Sequence, residues 1–394
     1  MTNQHNEHPW EVKSPWITPF NVVAALIVLM GIYLTYLRFT GGLAAVTNLD
    51  DNYPWGIWIS FDLLCGVALA AGGYTTATAC YVFGIKKYHA AVRPAILTAF
   101  LGYALVVFAL HYDVGQPWRL AYPIFVQQGT TSVLFEVGLC VFLYVTVLFL
   151  EFLPAPLERL GIKRVRNIMV KLTLVLTVFG VILSTMHQSS LGALYLILPS
   201  KMHPLWYSTH LPIYFFVSSM FAGLSMVIFE STLSHRWYHN RMDKSHLEGT
   251  PHVTFGFAKA AAWIMAGYFF IKFFGVVLNN NWAYLNTFYG MIFSIEMLGF
   301  VALPAFLYIK GVKTRNIKLI RWTAVLAVFG IVFNRFNVSL VAYNYHLPSE
   351  MKYFPALAEI GVTIFVVTIG LIVFKFIATR TPIFYELPDY KGSH

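Results

Sequence analysis

Apolar residues run along this chain in ten long stretches, each closed by a short polar segment. A bilayer-crossing helix needs about 20 consecutive apolar residues. The pattern therefore predicts ten transmembrane helices, at about 19–38, 56–84, 95–114, 132–153, 168–188, 210–234, 255–279, 286–309, 322–345 and 357–378. No interior stretch is long or polar enough for a soluble domain. The fold class is an all-α polytopic membrane protein, with one membrane domain over 19–378 and short tails at 1–18 and 379–394. The first stretch follows a polar, His-rich start and reads as a retained helix, not a cleaved signal.

Composition agrees. The chain is 58% hydrophobic and only 11% charged, against about 25% charged in a soluble domain. A net charge of +10 would suggest nucleic acid in a soluble protein. Here it follows from topology, because all but six of the 27 Lys and Arg fall on one side of the predicted helices. Basic loops mark the cytoplasmic side, so both termini are expected there, and no nucleic-acid partner is. The six exceptions are Arg38, Arg119, Lys201, Lys272, Arg335 and Lys352. Loops on their side, such as Tyr53-Pro-Trp55 and His203-Pro-Leu-Trp206, are rich in Pro and aromatics. They suit an interfacial belt or a docking surface for a partner subunit.

A faint duplication runs through the pattern. Pro54-Trp55 precedes a helix with Ala71-Gly72, and Pro204-Leu-Trp206 precedes one with Ala222-Gly223. Two helices after each comes a lone acid, Glu136 and then Glu296. This spacing suggests two four-helix units, at about 19–153 and 168–309, with extra helices over 322–378.

Ionisable groups inside apolar helices are costly and mark function or internal pairing. At 1.5 Å per residue, Glu136 lies roughly 6 Å and Asp62 roughly 9 Å below the outer ends of their helices. His187 and Gln188 close the fifth stretch, Arg335 lies in the outer half of the ninth, and Glu296 lies mid-helix in the eighth. Asp62, Glu136 and Glu296 could pair with Arg335, Lys272 and histidines as glue between helices. Alternatively, a carboxyl and an imidazole near headgroup level can serve as acid–base groups for a lipid-soluble redox carrier. Haem has little support, since His111 and His187 are the histidines within the bilayer and neither helix offers a second. Cys65, Cys80 and Cys140 form no C-x-x-C pair and read as small hydrophobic residues. No nucleotide loop, nucleophile triad or metal cluster appears, and His235, His239, His246 and His252 read as solvated.

Tyr53-Pro-Trp-Gly-Ile-Trp-Ile-Ser-Phe-Asp62, Val92-Arg93-Pro-Ala, Asp113-Val-Gly115, Ser132-Val-Leu-Phe-Glu136, Leu153-Pro-Ala-Pro-Leu-Glu-Arg-Leu-Gly161, Thr185-Met-His187-Gln-Ser-Ser190 and His203-Pro-Leu-Trp206 occur together. As a set they resemble the HybB-like branch of the NrfD/PsrC family, over about residues 19–378. The resemblance implies two four-helix bundles plus two helices, in a bacterial inner-membrane subunit. It implies a quinone site near the periplasmic face, menaquinone as the carrier and no haem in the subunit. The implied partners are a ferredoxin-like [4Fe–4S] subunit and either a [NiFe] hydrogenase or a multihaem cytochrome c. Glu136 and His187 match the positions implicated in quinone and proton chemistry; Asp62 and Arg93 match as well. Arg93 falls on the cytoplasmic side, away from such a site.

The expectation is thus a subunit exchanging electrons between a periplasmic iron–sulfur partner and menaquinone. Glu136 and His187 are the catalytic candidates, with Asp62, Gln188 and Arg335 as quinone-binding candidates. Glu151, Glu230 and Glu296 are candidates for a proton path from the cytoplasmic side. The competing readings are an ion or proton translocator without quinone chemistry and a purely structural anchor.

Overall fold

A computed structural model describes residues 18–390. The expected tail at 1–18 lies, except for Thr18, outside the described residues, as do Lys13 and Lys391. Ten helices are long and apolar enough to cross a membrane. They are α1 (Pro19–Gly41), α2 (Trp58–Val82), α3 (Lys86–Asp113), α4 (Val133–Leu160), α5 (Lys163–Ile197), α6 (Leu211–Trp237), α7 (Lys244–Leu278), α8 (Phe288–Lys313), α9 (Ile317–Val341) and α10 (Leu357–Arg380). Each expected stretch has its helix. Among the described residues no strand forms beyond an isolated bridge between Met202 and Tyr343. α7 starts at Lys244, well before its apolar run, because Asp243 caps it by accepting from the His246 N–H at 2.7 Å.

Helices α2–α5 pack as one bundle and α6–α9 as a second, while α1 pairs with α10 and α10 leans on α3. The plan of two four-helix bundles plus two helices matches the expectation, but the division at 19–153 and 168–309 does not. The helices standing apart are α1 and α10, not the last two. The reason lies in which faces are covered. α1 buries only Ala24, Gly31, Leu34 and Arg38, one narrow stripe, and its remaining apolar surface is left for lipid. α2 is buried on nearly every side, as a helix wedged between bundles must be. The repeated motifs keep their spacing, with the unit beginning one helix later.

The two Ala-Gly motifs meet at the crossing of α2 and α6. A Cβ on Gly223 would stand 2.4 Å from Gly72 N, and one on Gly72 would stand 2.8 Å from Gly223 O. Only glycine lets the two backbones approach this closely.

On the face with few charges, the loops knit into a layer. His203 N donates to Ala342 O at 2.9 Å, Asn344 N to Lys201 O at 2.6 Å, and Asn281 Nδ2 to Pro204 O at 2.8 Å. The Tyr53 ring stacks on Tyr353 and meets Tyr343 edge-on. On the basic face, Arg93 donates to both oxygens of buried Glu158 at 2.9 Å and to Pro382 O at 2.8 Å. Arg166 reaches the same carboxylate at 3.0 Å. Residues 381–390 are consequently no free tail: Ile383, Phe384 and Tyr385 are buried against the helix ends. His235 and His246, expected in solvent, are half-buried there, with ring centres 6.2 Å apart and Phe384 edge-on to His246.

Candidate functional site

The interior of the α2–α5 bundle is polar. His187 on α5 is fully buried; its Nδ1 lies 3.3 Å from the Tyr103 hydroxyl of α3, and its Nε2 has no partner. The next residue, Gln188, donates from Nε2 to Val67 O of α2 at 3.0 Å and leaves Oε1 unpartnered. Tyr103 meets the Tyr144 ring of α4 edge-on at 4.6 Å. The hydroxyls of Tyr144, Ser184 and Tyr74 are likewise buried with no partner at full hydrogen-bonding distance, Ser184 facing both Tyr144 and Tyr103 and Tyr74 facing Ser219. Buried polar atoms are almost always hydrogen-bonded. So many unpartnered ones in a single bundle interior leave hydrogen-bonding capacity for water or a polar ligand.

Glu136 stands at the same end of this bundle. α4 packs through Val137, Cys140, Val141, Tyr144 and Leu148, which puts Glu136 on the flank of the packed face, half-buried. Among the described residues it forms no side-chain hydrogen bond or ion pair. Thr177 donates to Glu151 at 2.9 Å, and Gly180 lies beside Tyr144 and Val147. In that antiparallel register Glu136 is level with Ser190, roughly 4.5 Å nearer the helix ends than His187. The two leading candidates therefore share a bundle and an end, without direct contact.

The three quinone-binding candidates do not converge. Gln188 belongs to the His187 cluster. Asp62, on a π-helical first turn of α2, instead accepts from Thr363 of α10 at 2.9 Å. Its surroundings are acidic: Asp113, with one oxygen unpartnered, and fully buried Glu359 stand near the guanidinium of Arg38. Arg38 is itself held by Tyr112 O at 2.7 Å and Val114 O at 2.8 Å. Glu359 accepts from Asn48 N and Ala356 N at 2.9 Å each and from the Tyr353 hydroxyl. Burial raises that phenol above its ordinary pKa, keeping it a proton donor.

Arg335 belongs to the second bundle. It donates to Ser218 Oγ at 2.8 Å and to Asn334 Oδ1 at 2.8 Å, lying 4.0 Å over the Phe215 ring. Beside it Glu296, fully buried on a π-helical stretch of α8, accepts from Trp206 Nε1 at 2.9 Å, Asn334 Nδ2 at 2.7 Å and Asn337 Nδ2 at 2.6 Å. Three donors tie this carboxyl to α9 and to the His-Pro-Leu-Trp loop.

Of the other acids, Glu151 lies toward the basic end of the α2–α5 interior. There it lines a cavity shared with Arg93, Glu158 and Arg166. Glu230 on α6 has both oxygens buried without partners and lines a cleft with His246, Ser231 and Thr250. Arg93 is a clamp for the basic face. Sequence reasoning overlooked Tyr103, Tyr144, Tyr74 and Ser184, because phenols and small hydroxyls pass as ordinary membrane-helix residues. It also overlooked Glu359 and Glu158, which sit at helix ends where acids are unremarkable.

Two four-helix bundles joined at a glycine crossing, with polar groups buried in both, define a multi-pass membrane protein. The chain belongs to the NrfD family: the family's sequence profile, described as "Polysulphide reductase, NrfD", matches residues 45–346. That range covers both bundles and leaves out α1 and α10. The chain is 61% identical to a protein of Nitratidesulfovibrio vulgaris across 96% of this chain and 97% of that one. It is 34% identical to the probable Ni/Fe-hydrogenase 2 b-type cytochrome subunit of Escherichia coli K12, covering 95% and 93%. It is 27% identical to the integral membrane subunit of menaquinone reductase from N. vulgaris, covering 90% and 88%.

Proposed function

We propose that this chain is the quinone-reactive membrane subunit of a respiratory oxidoreductase, exchanging electrons between an iron–sulfur partner and menaquinone. The observation that carries the reading is the His187 cluster, with an unpartnered imidazole nitrogen and amide oxygen inside the bundle and Glu136 on its lipid-side flank. An isoprenoid quinone arrives from lipid and its reduction takes up two electrons and two protons. Glu136, on that flank, would meet the ring edge and exchange a proton at its carboxyl. His187 Nε2 and Gln188 Oε1 supply hydrogen-bonding positions further in. The relatives named as hydrogenase and menaquinone reductase subunits support the class, and the proposed partner beyond the iron–sulfur subunit is a [NiFe] hydrogenase or a multihaem cytochrome c.

Protons would come from the basic face, read as cytoplasmic from its Lys and Arg, in the inner membrane. Glu151, Thr177, Tyr144, Ser184 and Tyr103 form a succession of exchangeable groups toward His187. Glu230 and Glu296 lie off this line in the second bundle, and the three donors on Glu296 suit a structural anchor. We read the subunit as haem-free from the scarcity of histidines placed within the bilayer, His111 and His187. A b-type absorbance in the isolated chain would refute that reading, which the name of the E. coli relative makes worth checking. Glu136→Gln is the main test. Quinone reductase activity should fall by about 10²–10⁴-fold in an assembled complex; unchanged activity sinks the proposal.

A further inference from the structure

A cavity of about 540 Å³ opens on the basic face, far from the His187 cluster, where the start of α3, α7 and the α8–α9 turn come together. Its walls carry Lys87, Lys259 and Arg315 together with Tyr88, Phe255 and Trp263, and no acidic residue lines it. Among the described residues none of these three cations has a carboxylate within salt-bridge range. Two are aimed by ring faces, Lys87 Nζ 5.3 Å over Tyr88 and the Arg315 guanidinium 5.5 Å over Phe255. Arg315 holds a φ of 53°, a left-handed conformation that non-glycine residues seldom adopt.

The groove also has direction. Trp263 follows Lys259 by one helical turn on the same face, roughly 6 Å deeper into the apolar run, and is 73% exposed. Tryptophan settles at the headgroup boundary, so Lys259 stands at phosphate height with an aromatic wall below it. A free anion would need the charges alone, whereas the wall fits a glycerol backbone and acyl chain. We infer that this groove is a binding site for an anionic phospholipid, its phosphate held by Lys87, Lys259 and Arg315 and its first chain methylenes laid along Trp263.

The test uses the full complex extracted from membranes, titrated with phosphatidylglycerol and followed by native mass spectrometry. The wild type should bind phosphatidylglycerol in preference to phosphatidylcholine. Lys259→Gln with Arg315→Gln should weaken that binding about 30-fold. The single variant Lys87→Gln, at the exposed start of α3, gives an independent reading at about fivefold. An unchanged melting temperature in zwitterionic lipid verifies that the variants fold. Equal binding of phosphatidylcholine, unaltered affinity in the folded variants, or displacement of the lipid by inorganic phosphate alone would overturn the inference. So would a photo-crosslinker at position 263 that captures an acidic protein chain in place of lipid.

Discussion

The Tyr103 hydroxyl on α3 lies 3.3 Å from His187 Nδ1 on α5, which fixes the imidazole so that Nε2 is the nitrogen left free in the bundle. The neighbour of a histidine sets which ring nitrogen is available for chemistry. Tyr103→Phe removes that neighbour while keeping the ring that packs on Tyr144. Turnover with a menaquinone analogue should drop about tenfold or more, with a shifted pH profile, and His187→Gln should abolish most of it. A Tyr103→Phe variant with wild-type turnover and pH profile would show that the contact is packing alone.

Glu158 is the counter-charge for two guanidiniums, Arg93 and Arg166, at the joint of α3, α4, α5 and the C-terminal segment. Removing one side of a buried ion pair costs about 3–5 kcal/mol, because the other side stays buried and charged. Glu158→Gln should lower the melting temperature in detergent and make residues 381–390 sensitive to protease. Resistance equal to wild type would show the segment is held by its apolar contacts.

His203 gives the loop layer a pH dependence. Burial between Tyr289, Tyr345 and Trp206 lowers its pKa from 6.5 to about 4. Between these values the unfolded chain binds the proton and the folded one does not. Stability from this group is therefore complete above pH 6.5 and is lost as pH falls toward 4, by about 3 kcal/mol at most. Thermal melts across that window should show the decline, with a flatter slope in His203→Asn.

Glu296→Gln places an amide N–H₂ where one donor (at Oε1) or two (at Oε2) point inward. A mismatched buried group costs about 1–3 kcal/mol. The melting temperature should fall, while turnover per folded molecule stays within about threefold of wild type. A collapse of turnover in a well-folded Glu296→Gln protein would return Glu296 to the proton path.

The ten helices were legible because hydropathy reports length and apolarity, which is what a bilayer selects. Their grouping was not. The apolar runs of α1 and α2 look alike in sequence, yet one faces lipid and the other is wedged between bundles, since lipid and helix interior are equally apolar. Glu136 and His187 stood out as isolated ionisable groups, and they do lie at one end of one bundle. Tyr103, Tyr144 and Ser184 carried no such mark, because their polarity matters only through neighbours on other helices. Asp62 and Arg335 were correctly read as buried, but position along a helix does not reveal which way a side chain turns. Asp62 turns to α10 and Arg335 to α6.

The glycine contact between α2 and α6 bears on the proton chemistry proposed above. Transporters built from repeats open alternately to either side by rocking one repeat against the other. At Gly72 and Gly223 two main chains touch with no side chain between them, so the bundles cannot approach each other further at this joint. The proton uptake proposed above would then rely on rotation of individual side chains and on bound water in place of a sliding of the two bundles at this joint.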